Sequence, residues 1–155
     1  MVPNDVLVDS FTEFVEETEP RLRHALSAVF GTELGKEMTA ESLAYGWEHW
    51  ERVQAMDNPA GYLYIVGRDR GRRLIARNRP VLLPVNGQRL PWVEPRLAEA
   101  LAQLPERQRV VVMLLKCFQW SMSEVAELLD MSKSTVHTHS RRGLERLRKH
   151  LGVEL

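Results

Sequence analysis

The stretch SEVAELLDMSKSTVHTHSRRGLERLRKHL, residues 123–151, decides the fold of this chain. It holds two segments whose apolar residues lie three or four positions apart, the spacing of amphipathic helices. Only the turn "DMS" separates them, and Ser132 can cap the second helix because its hydroxyl can accept a hydrogen bond from a backbone N–H. Two short helices joined by such a turn predict a helix-turn-helix, whose second helix enters the major groove of DNA.

The second helix of this motif is strongly basic. Glu145 is the only acid between Ser132 and Lys149, against six Lys or Arg. Short polar side chains in the first turns can approach base edges, and the arginines that follow suit phosphates. An ordinary solvated helix with a basic end is the alternative interpretation. We expect the DNA contacts to come from Ser132, Lys133, Ser134, Thr135, His137, Thr138, Arg141 and Arg142.

Charge is distributed unevenly along the 155 residues, although the net charge is zero. Residues 1–57 carry four Lys or Arg and twelve Asp or Glu, a net of −8. Residues 58–80 carry six Arg and one Asp, a net of +5, and residues 81–155 carry eleven basic and eight acidic residues, a net of +3. Two basic segments behind an acidic front indicate that the middle and the end of the chain bind nucleic acid.

Helical periodicity covers nearly the whole chain, so the predicted fold class is all-α. The exception is a stretch with four prolines between residues 80 and 95, which predicts an extended linker because proline lacks the N–H that a helix interior requires. We expect the domains on either side to be separate and mobile. They are a three- to four-helix bundle at 1–79, the linker at 80–96 and a small helix-turn-helix domain at 97–155.

In the front part, the apolar spacing predicts three helices. The first runs through Phe30 and is ended by Gly31 and Gly35. Thr39 is the expected cap of the second, and the third is expected over residues 59–78. This third helix begins apolar and then becomes rich in arginine.

Several classes of protein are disfavoured by what the sequence lacks. No apolar run approaches the roughly 20 residues of a membrane span, and no basic start precedes an apolar stretch, so we expect neither a membrane helix nor a signal peptide. Cys117 is the single cysteine, which fits a reducing cytoplasm, and we expect it to be buried. His24 is expected on the surface, and His137 and His139 point to different helix faces. We therefore predict no cofactor, no metal and no enzyme activity.

The second half resembles region 4 of bacterial sigma-70 factors, above all those of the extracytoplasmic-function (ECF) group. The resemblance is carried by "LPERQR", "EVAELL", an S-x-x-TV motif that begins at Ser132 and is followed by Arg141-Arg142, and "LERLR". The stretches "AESLAYGWEHWERV" and "NPAGYLYIVGR" are similar to region 2 of the same group. The resemblance implies a protein that binds core RNA polymerase and directs it to promoter DNA, with an anti-sigma factor as a further partner. Region 4 would read the −35 element as duplex, and region 2 would capture the −10 element as melted strand.

The resemblance also assigns roles to residues of the front part. The third helix and the loop before it would capture the strand, since bases stack on aromatic faces while arginine follows the backbone. The residues assigned to this role are Asn58, Tyr62, Arg68, Arg72, Arg73 and Arg77. The second helix would dock on polymerase through Glu41, Leu43, Trp47 and Trp50. For Tyr62 and both tryptophans, core packing is the interpretation that their spacing favours, and one exposed tryptophan would be the binding anchor.

Three residues depart from the family pattern, and two other classes of protein stay open. Asp130 stands where the turn usually has glycine, and Ser140 and Gly143 should weaken the last helix. One alternative is a stand-alone helix-turn-helix regulator that binds duplex DNA without polymerase. The other is a sigma-like interaction protein held by an anti-sigma factor.

Overall fold

The structure, a computed structural model, describes residues 2–78 and 95–153. The front half contains α1 (Asn4–Phe30), α2 (Thr32–Glu48), α3 (Trp50–Gln54) and α4 (Pro59–Asn78). The back half contains α5 (Pro95–Ala102), α6 (Glu106–Val112), a π-helical turn (Met113–Cys117), α7 (Met122–Leu129) and α8 (Lys133–Leu151). The predicted all-α class is confirmed, and the described residues contain no strand. Of the predicted linker, residues 80–94 lie outside the described part of the chain.

The first two helices are joined more tightly than the sequence predicts. Gly31 ends α1 with a φ of 87°, as expected. The predicted break at Gly35 and cap at Thr39 are wrong, because α2 already begins at Thr32 and includes both residues. A Cβ at Gly35 would lie 2.5 Å from Oγ of Ser27 in α1. This glycine therefore permits close contact between two helices and does not end one.

One apolar core runs through both halves. Leu22 and Leu26 of α1, Leu63 of α4, and Val111 and Leu114 of the back half are fully buried in the same cluster. In this arrangement α1 packs against α6, and α4 packs against α7. The two halves are therefore in contact, contrary to the expectation of separate domains, whereas the expectation that they are mobile stays a prediction. Burial of a Val or Leu side chain contributes about 1.5–3 kcal/mol, so apolar contacts across this core stabilise the packing of the halves.

A smaller apolar cluster belongs to the back half alone. It joins α5 to the end of α8 through Leu101, Leu104 and Leu147, with Val112 of α6. A Cβ at Gly143 would lie 2.6 Å from Cγ2 of Val112, so this glycine lets α8 lie directly against α6. Gly143 lowers the helix propensity of α8 at the point where its contact with α6 requires a small residue.

The chain reverses sharply after α6, and this corrects the expected position of Cys117. The N–H of Phe118 donates to the carbonyl of Met113 at 3.0 Å, and the N–H of Trp120 donates to that of Leu114 at 2.9 Å. Gln119 between them has a φ of 59°. The reversal turns Phe118 and Trp120 toward α1 and leaves Cys117 exposed.

Candidate nucleic-acid interface

Local sequence fixes both ends of α7, the first helix of the helix-turn-helix. The N–H of Glu124 donates to the hydroxyl of Ser121, and the N–H of Ser121 donates to the carboxylate of Glu124, both at 3.1 Å. The backbone N–H of Ser121, and next its side chain, hold the pKa of Glu124 below its usual range. At the other end, Asp130 takes the left-handed conformation, with a φ of 53°. An N-cap of this kind contributes about 1 kcal/mol to helix stability.

Hydroxyl groups organise the start of α8. The hydroxyl of Ser132 accepts a hydrogen bond from the N–H of Thr135 at 3.1 Å, which confirms the predicted cap. It also lies 2.8 Å from the hydroxyl oxygen of Thr135 and 3.1 Å from that of Ser134. The hydroxyl of Thr138 donates to the carbonyl of Ser134 at 3.0 Å. These four side chains therefore have local partners, and their contacts with DNA stay predictions.

Longer side chains form an exposed stripe on α8. Lys133, His137 and Arg141 are exposed and follow one another at intervals of four residues, so they share one helix face. Arg141 lies 3.7 Å from Glu145, and Arg142 is exposed beside it. Lys133 and Arg142 form no ion pair within the part of the chain that the structure describes. The stripe spans about 12 Å along the helix axis and presents polar and basic groups to solvent.

The opposite side of α8 faces inward. Nδ1 of His139 is buried without a hydrogen-bond partner among residues 2–78 and 95–153. Burial, and then the charges of Arg107 and Arg142, lower the pKa of His139. His137 is exposed, so the prediction that these two histidines lie on different faces is confirmed.

Two further kinds of feature are absent from the described ranges. No group of three or more His, Cys, Asp or Glu side chains is placed there to hold a metal ion. None of the helices in those ranges has the length and apolar character needed to cross a bilayer.

A family comparison matches the part of the chain that contains the helix-turn-helix. Residues 95–147 match the family model described as Sigma-70, region 4. Residues 95–147 are therefore similar to a sigma-70 region 4, and this segment is called region 4. Region 4 is formed by α5 to α8, and α8 is the second helix of its helix-turn-helix. No curated protein matches the sequence.

A solved structure extends the similarity beyond region 4. It is that of the sigma factor RpoE in complex with the anti-sigma factor NepR from Bartonella quintana. The match has a TM-score of 0.66 at 17% identity and covers 94% of this chain and 99% of that one. The chain therefore has the fold of a sigma factor. The predicted resemblance to sigma-70 factors is confirmed for region 4 by the family match, and the whole chain is similar in fold to this sigma factor.

Region 4 lies against one face of α4, the helix predicted to capture the −10 strand. Oδ1 of Asn58 accepts a hydrogen bond from the N–H of Gly61 at 3.0 Å and so caps α4. Nδ2 of Asn58 donates to the carbonyl of Glu127 in α7 at 2.6 Å. Arg72 forms an ion pair with Glu106 of α6. Two of the predicted strand contacts are thus occupied by groups of region 4.

A third member of the predicted set lines a cavity between α4 and region 4. The guanidinium of Arg68 lies 5.7 Å from the ring centroid of Tyr64, and its Nε is buried without a hydrogen-bond partner among the described residues. The cavity has a volume of about 220 Å³. Burial, and then the carboxylate of Glu106, raise the pKa of Tyr64 to about 12. Tyr64 therefore packs here as a neutral phenol.

The other predicted strand contacts lie away from region 4. Tyr62 is half-buried, and its hydroxyl lies 3.1 Å from that of Tyr45. Arg73 and Arg77 are exposed, with no ion pair to any described residue. The structure does not bring the six predicted residues together on one open surface, and their role in strand capture stays a prediction.

The predicted polymerase-docking residues also differ in exposure, and one of them is buried. Glu41 is exposed and forms an ion pair with Arg70 at 2.7 Å, and Leu43 is half-buried. Trp47 is 40% exposed, whereas Trp50 is 5% exposed and donates to the hydroxyl of Ser10 from the core. Trp50 is therefore corrected to a core residue, since a buried indole offers no surface to a partner. Of these two tryptophans, Trp47 is the exposed one.

Sequence reasoning missed the residue that fastens region 4 to the front half. Nε and Nη2 of Arg109 donate to the carbonyls of Ala28 and Val29 at 2.9 and 3.1 Å, and Nη1 donates to that of Leu104 at 3.0 Å. The last carbonyls of a helix lack partners within it, and a cation there also suits the helix dipole. Burial lowers the pKa of Arg109. The signal in the sequence is an arginine directly before three valines.

His24 also lies at the contact between the halves, which corrects its expected surface position. Its ring stacks on Phe118 with centroids 4.1 Å apart, and the indole N–H of Trp120 donates to its Nδ1 at 3.4 Å. Burial, and then the charge of Arg23, lower the pKa of His24. These aromatic side chains of region 4 reach α1 because the chain reverses after the π-helical turn.

Proposed function

We propose that the chain acts as a sigma factor, which binds core RNA polymerase and directs it to promoter DNA for the initiation of transcription. The observation that carries the proposal is the exposed stripe Lys133, His137 and Arg141 on α8 of a sigma-70 region 4. Such a stripe on the second helix of a helix-turn-helix suits the major groove of a −35 element.

The members of this helix face have different chemical roles under the proposal. Lys133 and His137 lie in the first turns, where they can reach base edges. Arg141 and Arg142 lie further along and suit phosphate oxygens. Ser132, Ser134, Thr135 and Thr138 hold the start of the helix through their local hydrogen bonds. From there they can add short contacts to the DNA backbone or to bases.

The front half would supply the remaining functions. Glu41, Leu43 and Trp47 on α2 would dock on polymerase, with the exposed indole as an anchor. The strand-capture role falls to α4 and the loop before it, and the functional units follow the boundaries 1–79, 80–96 and 97–155. Under this proposal the chain has no catalytic activity of its own and acts in the cytoplasm. The residues proposed for strand capture are Asn58, Tyr62, Arg68, Arg72, Arg73 and Arg77.

One observation also supports a sigma-like protein held by an anti-sigma factor. The solved relative is in complex with such a factor. This chain shares that fold and has its two halves packed together. An anti-sigma factor is therefore proposed as a third partner beside polymerase and promoter DNA.

Transcription by core polymerase from a library of promoter sequences tests the proposed function. Addition of the chain should select a subset of promoters. Lys133→Ala or His137→Ala should change which −35 sequences are selected, with a discrimination of about 1–3 kcal/mol for each lost base contact. Arg142→Ala should instead weaken all selected promoters alike and reduce the salt dependence, because a phosphate contact carries no sequence preference.

Lys36→Ala is the matched control, since it removes an exposed cation far from α8 and should leave selection unchanged. Binding of duplex DNA without any effect on polymerase would identify a stand-alone regulator and refute the proposal. A uniform loss for Lys133→Ala and His137→Ala would remove both residues from base recognition.

A further inference from the structure

His24 lies where α1 meets the chain reversal that follows α6. Its ring stacks on Phe118, with centroids 4.1 Å apart and planes inclined by 8°. The ring of Trp120 lies 6.3 Å away, and its indole N–H donates to Nδ1 of His24 at 3.4 Å. Two aromatic side chains of region 4 thus share one imidazole of the front half as their contact on α1.

The hydrogen bond from Trp120 requires a neutral imidazole. An indole N–H can only donate, so Nδ1 of His24 must carry a lone pair and the ring proton must lie on Nε2. Protonation of the ring places a hydrogen on Nδ1, where it faces the N–H of Trp120. Attraction of the charged ring to the face of Phe118 opposes this effect, but one cation–π contact is weaker than the burial of unsatisfied donors.

The charged groups around His24 do not compensate a positive imidazole. Burial, and then the charge of Arg23, lower the pKa of His24, whereas Glu19 raises it. Glu19 is already paired with Arg23 at 2.8 Å, and Glu124 of α7 is paired with Arg21 at 3.1 Å. His24 itself forms no ion pair in the part of the chain that the structure describes.

Other contacts between α1 and region 4 do not depend on the charge of His24. One turn further along α1, the carbonyls of Ala28 and Val29 are bound by Arg109 of α6, which stays charged throughout the physiological range. The chain reversal also keeps its own backbone hydrogen bonds to the π-helical turn. A proton on His24 therefore acts on the two aromatic side chains and leaves the fold of each half in place.

We propose that His24, Phe118 and Trp120 form a proton-sensitive latch between the halves. With a neutral imidazole the latch is closed, and both aromatic side chains are held against α1. Protonation of His24 releases them, so that region 4 is held on α1 less firmly in mild acid. The latch needs neither polymerase nor DNA, and it is therefore independent of the promoter activity proposed above.

The direction of the pH dependence follows from the two states of the latch. In the released state the imidazole is open to solvent and has the ordinary histidine pKa of about 6.5. Above this pH the ring is neutral in both states and the latch is closed. As the pH falls below about 6.5, the released state binds the proton first and is favoured by at most about tenfold for each pH unit, because one proton is linked to the step. The gain ends once the closed state is protonated as well.

Fluorine NMR of the full chain labelled with 5-fluorotryptophan measures the latch directly. Trp120→Phe assigns the resonance of Trp120 among the four tryptophans of the chain. Between pH 7.5 and pH 5.5 this resonance should change toward that of a solvent-exposed tryptophan, with the ratio of released to closed latch rising roughly three- to tenfold. The resonance of Trp50, which is buried in the core, should stay in place.

Two substitutions of His24 hold the latch in one state or the other. His24→Gln keeps a hydrogen-bond acceptor but does not titrate, so Trp120 should keep its closed position at both pH values. His24→Lys is charged throughout this range and should release Trp120 already at pH 7.5. His150→Gln is the matched control, because it removes an exposed histidine of α8 and should leave the response of Trp120 unchanged.

Two results would overturn the proposal. One is a Trp120 resonance that stays unchanged between pH 7.5 and pH 5.5 in a parent chain that circular dichroism shows to be folded. The other is an equal change in His24→Gln, which would assign the response to another group such as His139. The comparison of the parent with His24→Gln decides the matter even if His24→Lys does not fold.

Discussion

At the scale of single residues, two histidines are held in environments that disfavour their charged form. His24 is stacked on Phe118, and its Nδ1 accepts from Trp120. His139 has a buried Nδ1 and faces Arg107 and Arg142. Burial is the main cause that lowers the pKa of each imidazole. Both side chains therefore fit their sites as neutral rings, one at the contact between the halves and one beneath the stripe of α8.

The lowered pKa values predict that the folded chain loses stability in mild acid. Below the ordinary histidine pKa of about 6.5 the unfolded chain binds these protons more readily than the folded chain does. The free energy of unfolding should therefore fall between pH 7.5 and pH 5.5, and the fall should level off below the folded-state pKa values. Urea midpoints at several pH values measure this. His24→Gln should flatten the profile, whereas a slope unchanged in this variant would show that His24 does not contribute.

At the scale of helices, the sequence predicts correctly those features that depend on residues within one or two helical turns. The spacing of apolar residues predicted the long helices, and Ser132 was correctly expected as a cap, because a cap depends on residues within one turn. Gly35 was misjudged, since its role depends on Ser27 in another helix. Arg109 was missed because a periodic pattern does not distinguish a solvated arginine from one that binds carbonyls about 80 positions earlier.

The contact between α6 and α8 supplies a prediction at this scale. Gly143→Ala should destabilise the chain by about 1–3 kcal/mol, because the added methyl group would lie 2.6 Å from Cγ2 of Val112. Helix propensity alone predicts the opposite, a gain of about 1 kcal/mol. Urea unfolding decides between the two. Val112→Ala combined with Gly143→Ala should recover part of the loss, and additive losses would place the strain elsewhere.

At the scale of the whole molecule, the two halves are packed on one another. Both contribute to one core, and Arg109 joins the end of α1 to the end of α5. Composition and periodicity do not predict this packing. The four prolines between residues 80 and 95 predict a linker, but a linker does not determine which surfaces of the two halves come into contact. The contact between the halves is seen in the packing of α6 on α1 and of α7 on α4.

A single substitution should separate the two halves thermodynamically. Arg109→Met keeps much of the side-chain volume but leaves the carbonyls of Ala28, Val29 and Leu104 without their donor. The expected cost is on the order of 3 kcal/mol. The parent should unfold in urea with one transition seen alike by tryptophan fluorescence and circular dichroism, and the variant with two. Arg107→Met is the control, since Arg107 is an exposed neighbour on α6. One unchanged transition in the Arg109 variant would contradict the prediction.

Arg109 also sets an order of events while the chain is being made. The carbonyl of Ala28 and the guanidinium that binds it are 81 positions apart. At about 5–20 residues per second, the ribosome delivers the arginine roughly 4–16 s after the end of α1 has been synthesised. During that interval water alone hydrogen-bonds those carbonyls, and the apolar surface that α6 and α7 will cover is open to chaperones. The end of α1 is therefore completed only by a side chain that is synthesised 81 positions later.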